Sequence, residues 1–127
     1  MKLRIKGNSL RLRVSRSELV RFLAGERIAE TIRFAAASEA KLTYALERGG
    51  QIAAACVRYS PQEVIVLLTE AQAQTWSQES EVGVHAMVDI GPEGPLEILV
   101  EKDFACLDRS DEDNKDTFAN PLMGSVC

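Results

Sequence analysis

The chain has 127 residues, 46% hydrophobic and 27% charged, with a formal net charge of −4. That length suits one domain, residues 1–127, able to bury a core without disulfide or metal staples. The negative balance, with no aromatic residues interleaved among the basic ones, argues against a nucleic-acid partner. No apolar run approaches the roughly 18 residues of a membrane span. The N-terminus carries charges at every second position instead of an apolar signal segment, and three cysteines, an odd number, do not form a secreted disulfide framework. The expectation is a cytoplasmic protein with no membrane partner.

The first stretch, K-L-R-I-K-G-N-S-L-R-L-R-V, alternates strictly on both sides of Gly7-Asn8. Such a dipeptide between alternating segments predicts a two-residue hairpin. Pairing Lys6 with Ser9 sets Ile5 opposite Leu10, Arg4 opposite Arg11, Leu3 opposite Leu12 and Lys2 opposite Arg13. Leu3, Ile5, Leu10, Leu12 and Val14 then share one face, and Lys2, Arg4, Lys6, Arg11 and Arg13 share the other. Like charges directly opposite one another repel, so this face calls for counter-charge or an anionic ligand.

Ser15-Arg16-Ser17-Glu18 is a capping box at a helix start, followed by the stripe Leu19, Phe22, Leu23 and a stop at Gly25. Strands are predicted over Arg27 to Phe34 and around Leu42, Tyr44 and Leu46. Two more follow, Gln51 to Tyr59 and Glu63 to Thr69, turning at Ser60-Pro61-Gln62. Thr69-Glu70-Ala71-Gln72 opens a second short helix that ends near Trp76 and Ser77. The last two strands are Glu81 to Ile90 and Leu96 to Lys102.

A gapless shift of 54 residues superposes the two halves in pattern. It places Leu3 on Val57, Ile5 on Tyr59, Leu12 on Val66, Ser15 on Thr69, Glu18 on Gln72 and Phe22 on Trp76. It continues with Ile28 on Val82, Ile32 on Ala86, Phe34 on Val88 and Tyr44 on Ile98. The reading is an α+β fold of eight mostly antiparallel strands and two short helices, from a duplicated ββαββ unit. The repeats are 1–48 and 55–102, with an acidic tail over 103–127. The eight strands either close into a barrel or pack as two sheets, and removal of exposed edges favours the barrel.

Three sets of residues carry chemistry. Lys2, Arg4, Lys6, Arg11 and Arg13 form a candidate site for a small anion such as phosphate or polyphosphate. Triphosphate-tunnel enzymes line a barrel with such residues, but their E-x-E-x-K signature is absent here. The bland alternative pairs the basic face with Glu97, Glu101 and Glu47 of other strands. Cys106, Cys127 and His85, with Met87 beside His85, are soft-metal donors without a ligand-spacing motif; Cys106 and Cys127 are also candidates for a bridge in an oxidising compartment. Cys56 reads as packed. Asp111-Glu112-Asp113-Asn114-Lys115-Asp116 fails the calcium-loop pattern because it lacks the glycine and sets Lys115 where a ligand belongs. This acidic stretch is expected instead to lie over the basic hairpin. One histidine, no nucleophile motif and no phosphate-binding glycine loop lower the odds of an enzyme.

The opening K-L-R-I-K-G-N-S-L-R-L-R-V-S-R-S-E, with the later E-K-D-F-A-C-L and E-D-N-K-D-T-F-A-N-P, resembles a family of small uncharacterised bacterial proteins. The resemblance spans Lys2 to Cys127 and implies no known activity or cofactor; it adds interest to Cys106 and Cys127. The leading expectation is a non-catalytic binding or interaction protein, with a protein partner or self-association into a homo-oligomer. The alternatives are anion binding or phosphohydrolysis through the hairpin face, and metal binding through Cys106 and Cys127.

Overall fold

The computed structural model describes residues 1–105 and 115–119. The elements in chain order are β1 (Lys2–Lys6), β2 (Ser9–Val14), α1 (Arg16–Leu23), β3 (Ile28–Arg33) and β4 (Lys41–Gly49). They are followed by β5 (Cys56–Ser60), β6 (Glu63–Thr69), α2 (Glu70–Ser77), β7 (Gly83–Val88) and β8 (Leu96–Lys102). The first hairpin adopts the expected register, from Lys6↔Ser9 to Lys2↔Arg13. Gly7 turns it with a φ of 55°, a backbone region that costs a residue without Cβ nothing.

Both helices start as their residues dictate. The Glu18 amide donates to Ser15 Oγ (3.3 Å) and the Ser15 amide to Glu18 Oε1 (3.0 Å). Thr69 and Gln72 exchange the same pair of bonds, each 3.0 Å. α1 ends in a Schellman motif, in which Gly25 donates to the Phe22 carbonyl and Glu26 to the Arg21 carbonyl, each 3.0 Å.

The strands do not close into a barrel. They form two four-stranded sheets, β1-β2-β8-β7 and β3-β4-β6-β5. The outer ladders are antiparallel, and the central pairs β2–β8 and β4–β6 are parallel. Edges are therefore retained, and the charges of β1 (Lys2, Arg4, Lys6) blunt one of them without closure. Each helix carries the chain from one sheet to the other. Eight residues of helix rise about 12 Å, close to the ~10 Å separation of stacked sheets, so one short helix spans the step.

The central ladders recur under the 54-residue shift: Leu12↔Val100 in one sheet corresponds to Val66↔Leu46 in the other. β3 and β7 depart from it. Ile28 faces Leu46, whereas Val84, not Val82, faces Val100. The counterparts of Ile28 and Ile32 are thus Val84 and Val88, two residues beyond the gapless match, and Phe34 corresponds by extension to Ile90. Val82 lies 45% exposed, outside the core. The predicted strand over Gln51 to Tyr59 begins only at Cys56; residues 50–55 form a loop that sets Ile52 against Ala45, Ile65 and Leu67 on the outer face of its sheet, with Cys56 packed alongside.

The main core lies between the sheets and under the helices. Leu12, Val14, Ile28, Leu46, Val66, Leu68, Ile98 and Val100 are buried with Phe22 and Trp76. The Phe22 and Trp76 rings meet edge-to-face at 5.9 Å, closing one end of the sandwich. Cationic side chains from the ends of β4 and β8 reach those helices' last carbonyls. Arg48 Nη1 donates to Leu23 O (2.6 Å), and Lys102 Nζ donates to Gln78 O (2.8 Å). Each satisfies an orphan carbonyl and complements a helix C-terminus. No helix among the described residues is long and apolar enough to cross a membrane.

Candidate functional site

Among the described residues, the end of the sandwich opposite the helices is open. There the β1–β2 turn is tied to the β7–β8 connection by Asn8 Nδ2 donating to Pro95 O (2.9 Å) and the Glu97 amide donating to Asn8 O (3.1 Å). In the other sheet the Thr43 amide bonds Gln62 O at the corresponding place (2.7 Å). No helix follows these turns, so the apolar faces of the strands run out into solvent. Ile5 is 62% exposed, Tyr59 75%, Phe34 67% and Ile90 48%. These four are two corresponding pairs, Ile5 with Tyr59 and Phe34 with Ile90.

A cleft of about 320 Å³ opens at this end, lined by Ile5, Leu10, Val57, Tyr59, Val64, Ile90 and Leu96, with Gly7, Asn8 and Ser9 on its turn side. Beneath it, a void of about 30 Å³ between the sheets shares Ile5, Leu10 and Val64 with the cleft and is walled by apolar side chains and Tyr44. A second cleft of about 320 Å³ lies on the outer face of the same hairpin, lined by Arg4, Lys6, Ser9, Leu10, Arg11, Glu97 and Leu99. Ser9 and Leu10 belong to both, so the two clefts adjoin across one strand.

The five basic residues share the outer face of β1 and β2. Three have carboxylate partners. Lys2 Nζ is 3.0 Å from Asp103, and Glu101 lies 3.1 Å from Arg11 Nε and 3.6 Å from Arg13 Nε. The parallel β2–β8 pairing puts Glu101 directly beside Arg13. Arg4 and Lys6 are exposed and have no ion-pair partner among the described residues. The expected counter-charge from Glu97 and Glu47 goes elsewhere: Glu97 Oε2 is 3.1 Å from His85 Nε2, and Glu47 is 3.7 Å from Arg27.

His85 and Met87 point outward from β7, and Met87 is 56% exposed. Among the described residues no three His, Cys, Asp or Glu side chains gather as a metal site. Cys106 and Cys127 lie outside the described residues, as do Asp108 and Asp111 to Asn114 of the acidic tail. Of the tail's described acids, Asp103 meets Lys2, and Asp116 caps α1 instead of covering the hairpin. Its carboxylate accepts from the Ser17 amide (3.1 Å) and from the Ser17 hydroxyl, and the Arg16 amide bonds its carbonyl (3.0 Å). Those Ser17 bonds hold the Asp116 carboxyl below its ordinary pKa. Phe118 stacks edge-on with Phe104 at 6.1 Å and lies 5.6 Å from Lys102 Nζ.

Two buried charges support the closed end. Burial pushes the Glu18 carboxyl up, but bonds from the Met1 ammonium (2.6 Å) and from Ser15 offset this and hold it below its ordinary value of 4.5. Burial lowers the Lys102 ammonium from its ordinary 10.5, partly countered by Glu81 and Glu79.

The profile of a family of unknown function, DUF7009, matches residues 1–122. The chain belongs to that family. No curated protein and no solved structure matches it. Membership in DUF7009 agrees with the resemblance to an uncharacterised family and brings no activity with it. The basic set was legible from alternation alone. The apolar mouth was missed as a site, although the superposition of Ile5 on Tyr59 carried its signal, because alternation marks which side chains face inward and not where the cover stops.

Proposed function

We propose that the protein is a non-catalytic binding module whose ligand enters the apolar mouth of the sandwich. The observation that carries this is that Ile5, Tyr59 and Ile90, all exposed, line the cleft at the end that no helix among the described residues covers. Single exposed apolar side chains are ordinary, whereas a set gathered around a concave apolar opening is the usual form of a binding site. The duplicated ββαββ reading supports it: two equivalent hairpins bring their tips to one end, and two equivalent helices close the other.

The test is titration with the neutral dye N-phenyl-1-naphthylamine. A saturable rise in fluorescence is expected, weakened about tenfold in Ile5→Ser/Tyr59→Ser, since burial of apolar area drives binding. Both side chains are exposed, so the variant keeps native circular dichroism. A wild-type protein that gives no saturable signal would overturn the proposal.

A second reading, small-anion binding on the hairpin's outer face, is favoured by one observation: Arg4 and Lys6 line a cleft in which Glu97 is the carboxylate, and neither pairs with a carboxylate among the described residues. Binding of inorganic phosphate that is lost in Arg4→Gln/Lys6→Gln would establish it; an unchanged thermal midpoint in phosphate would remove it.

A further inference from the structure

We infer that the ligand is a single-chain anionic amphiphile: an unbranched aliphatic chain in the apolar mouth, with a carboxylate head held by Arg4 and Lys6. This rests on the apolar mouth being a ligand site and names the ligand class. The juxtaposition that carries it is the contact between the two clefts, which share Ser9 and Leu10. The apolar cleft, about 320 Å³, is at the small end of the roughly 300–1,000 Å³ of ligand sites, which suits a medium-length chain. The void below it, about 30 Å³ and walled by Leu3, Leu12, Leu42 and Val66 among others, extends the apolar lining between the sheets with room for no more than a chain end.

Charge sets the head group. On the other side of the same strand, Arg4 and Lys6 are cations without partners among the described residues, and Arg11 beside them is shared with Glu101. Glu97 is the carboxylate in that cleft, and His85 stands against it at 3.1 Å, on the side away from β1. The Ser9 hydroxyl donates to Lys6 O (2.6 Å), which commits its proton to the turn. A carboxylate over the turn therefore meets two open cations and a short path to the apolar mouth.

The experiment compares decanoate with 1-decanol, each below its aggregation limit, by calorimetry and by displacement of N-phenyl-1-naphthylamine from the full chain. Decanoate is expected to displace the dye and to bind about tenfold more tightly than decanol, from two exposed charge-assisted contacts. Arg4→Gln/Lys6→Gln is expected to erase that preference while leaving the dye and decanol unchanged, a split that general unfolding does not produce. Dye binding with equal affinity for decanoate and decanol overturns the anionic head but leaves the apolar site standing. Failure of dye, decanol and decanoate together overturns both. Two other outcomes overturn the inference in favour of another occupant. One is sedimentation with phosphatidylglycerol vesicles but no binding of free decanoate; the other is a concentration-dependent dimer, dissociated by Ile5→Ser/Tyr59→Ser, that binds no decanoate.

Discussion

The two ends of the sandwich are built from residues that superpose under the 54-residue shift yet have opposite fates. At one end Phe22 and Trp76 are both fully buried, edge against face, because α1 and α2 fold over the sheets there. At the other, Ile5 and Tyr59 are also corresponding residues on the inward faces of their strands, and both lie mostly in solvent. Inward orientation along a strand is thus not burial. Burial needs a cover, and at the ends of the sandwich the covers among the described residues are the crossover helices, which lie where the chain changes sheets.

The largest expected difference follows from that contrast. Trp76→Ala at the closed end should cost about 3–5 kcal/mol in urea unfolding, whereas Tyr59→Ala at the open end should change stability by no more than about 0.5 kcal/mol. Equal losses at the two sites would show that the mouth is packed in solution and would remove the binding proposal. Next in size is Gly83→Ala at the start of β7. A Cβ there would stand 2.5 Å from the Val100 carbonyl oxygen, against backbone that cannot swing away. A loss of about 1–3 kcal/mol is expected, read from the same unfolding curves.

The capping of the closed end gives a smaller and symmetrical test. Ser15→Ala and Thr69→Ala should each cost about 1 kcal/mol, because each removes the acceptor for an N3 amide. If only one is costly, the two helices do not close the end equally. Acid sharpens the same region. The folded Glu18 carboxyl titrates below its ordinary 4.5, so its contribution is present above that pH and is lost as pH falls through the folded pKa. Glu18→Gln should therefore flatten the acid limb of a stability–pH profile. Smallest of all, Arg4→Gln/Lys6→Gln should leave stability within about 0.5 kcal/mol, because neither side chain has an ion-pair partner among the described residues.

The outer faces of the two sheets repeat the lesson. On the β3–β6 sheet, Ala45, Ile65 and Leu67 are buried because residues 50–55 bring Ile52 across them. On the other sheet, the corresponding positions are Leu99, Arg11 and Arg13, where Glu101 neutralises part of the charge and Arg4 and Lys6 have no ion-pair partner among the described residues. Similar backbones therefore carry one face covered by apolar packing and one that is charged.

Local structure was decided by the sequence alone. Alternation about Gly7-Asn8 set the hairpin register, and Ser15–Glu18 and Thr69–Gln72 set both helix starts, because those interactions join residues within a few positions of one another. Alternation also sorted Lys2, Arg4, Lys6, Arg11 and Arg13 onto one face. Only the tertiary structure decided that β2 lies parallel to β8, that the sheets stack without closing, and that Glu101 and Asp103 answer three of those five charges. A period of two says which face a side chain takes, but not which distant strand stands beside it. The neighbour was chosen by two eight-residue helices, long enough to carry the chain between sheets and placed so that one end is sealed and the other left open.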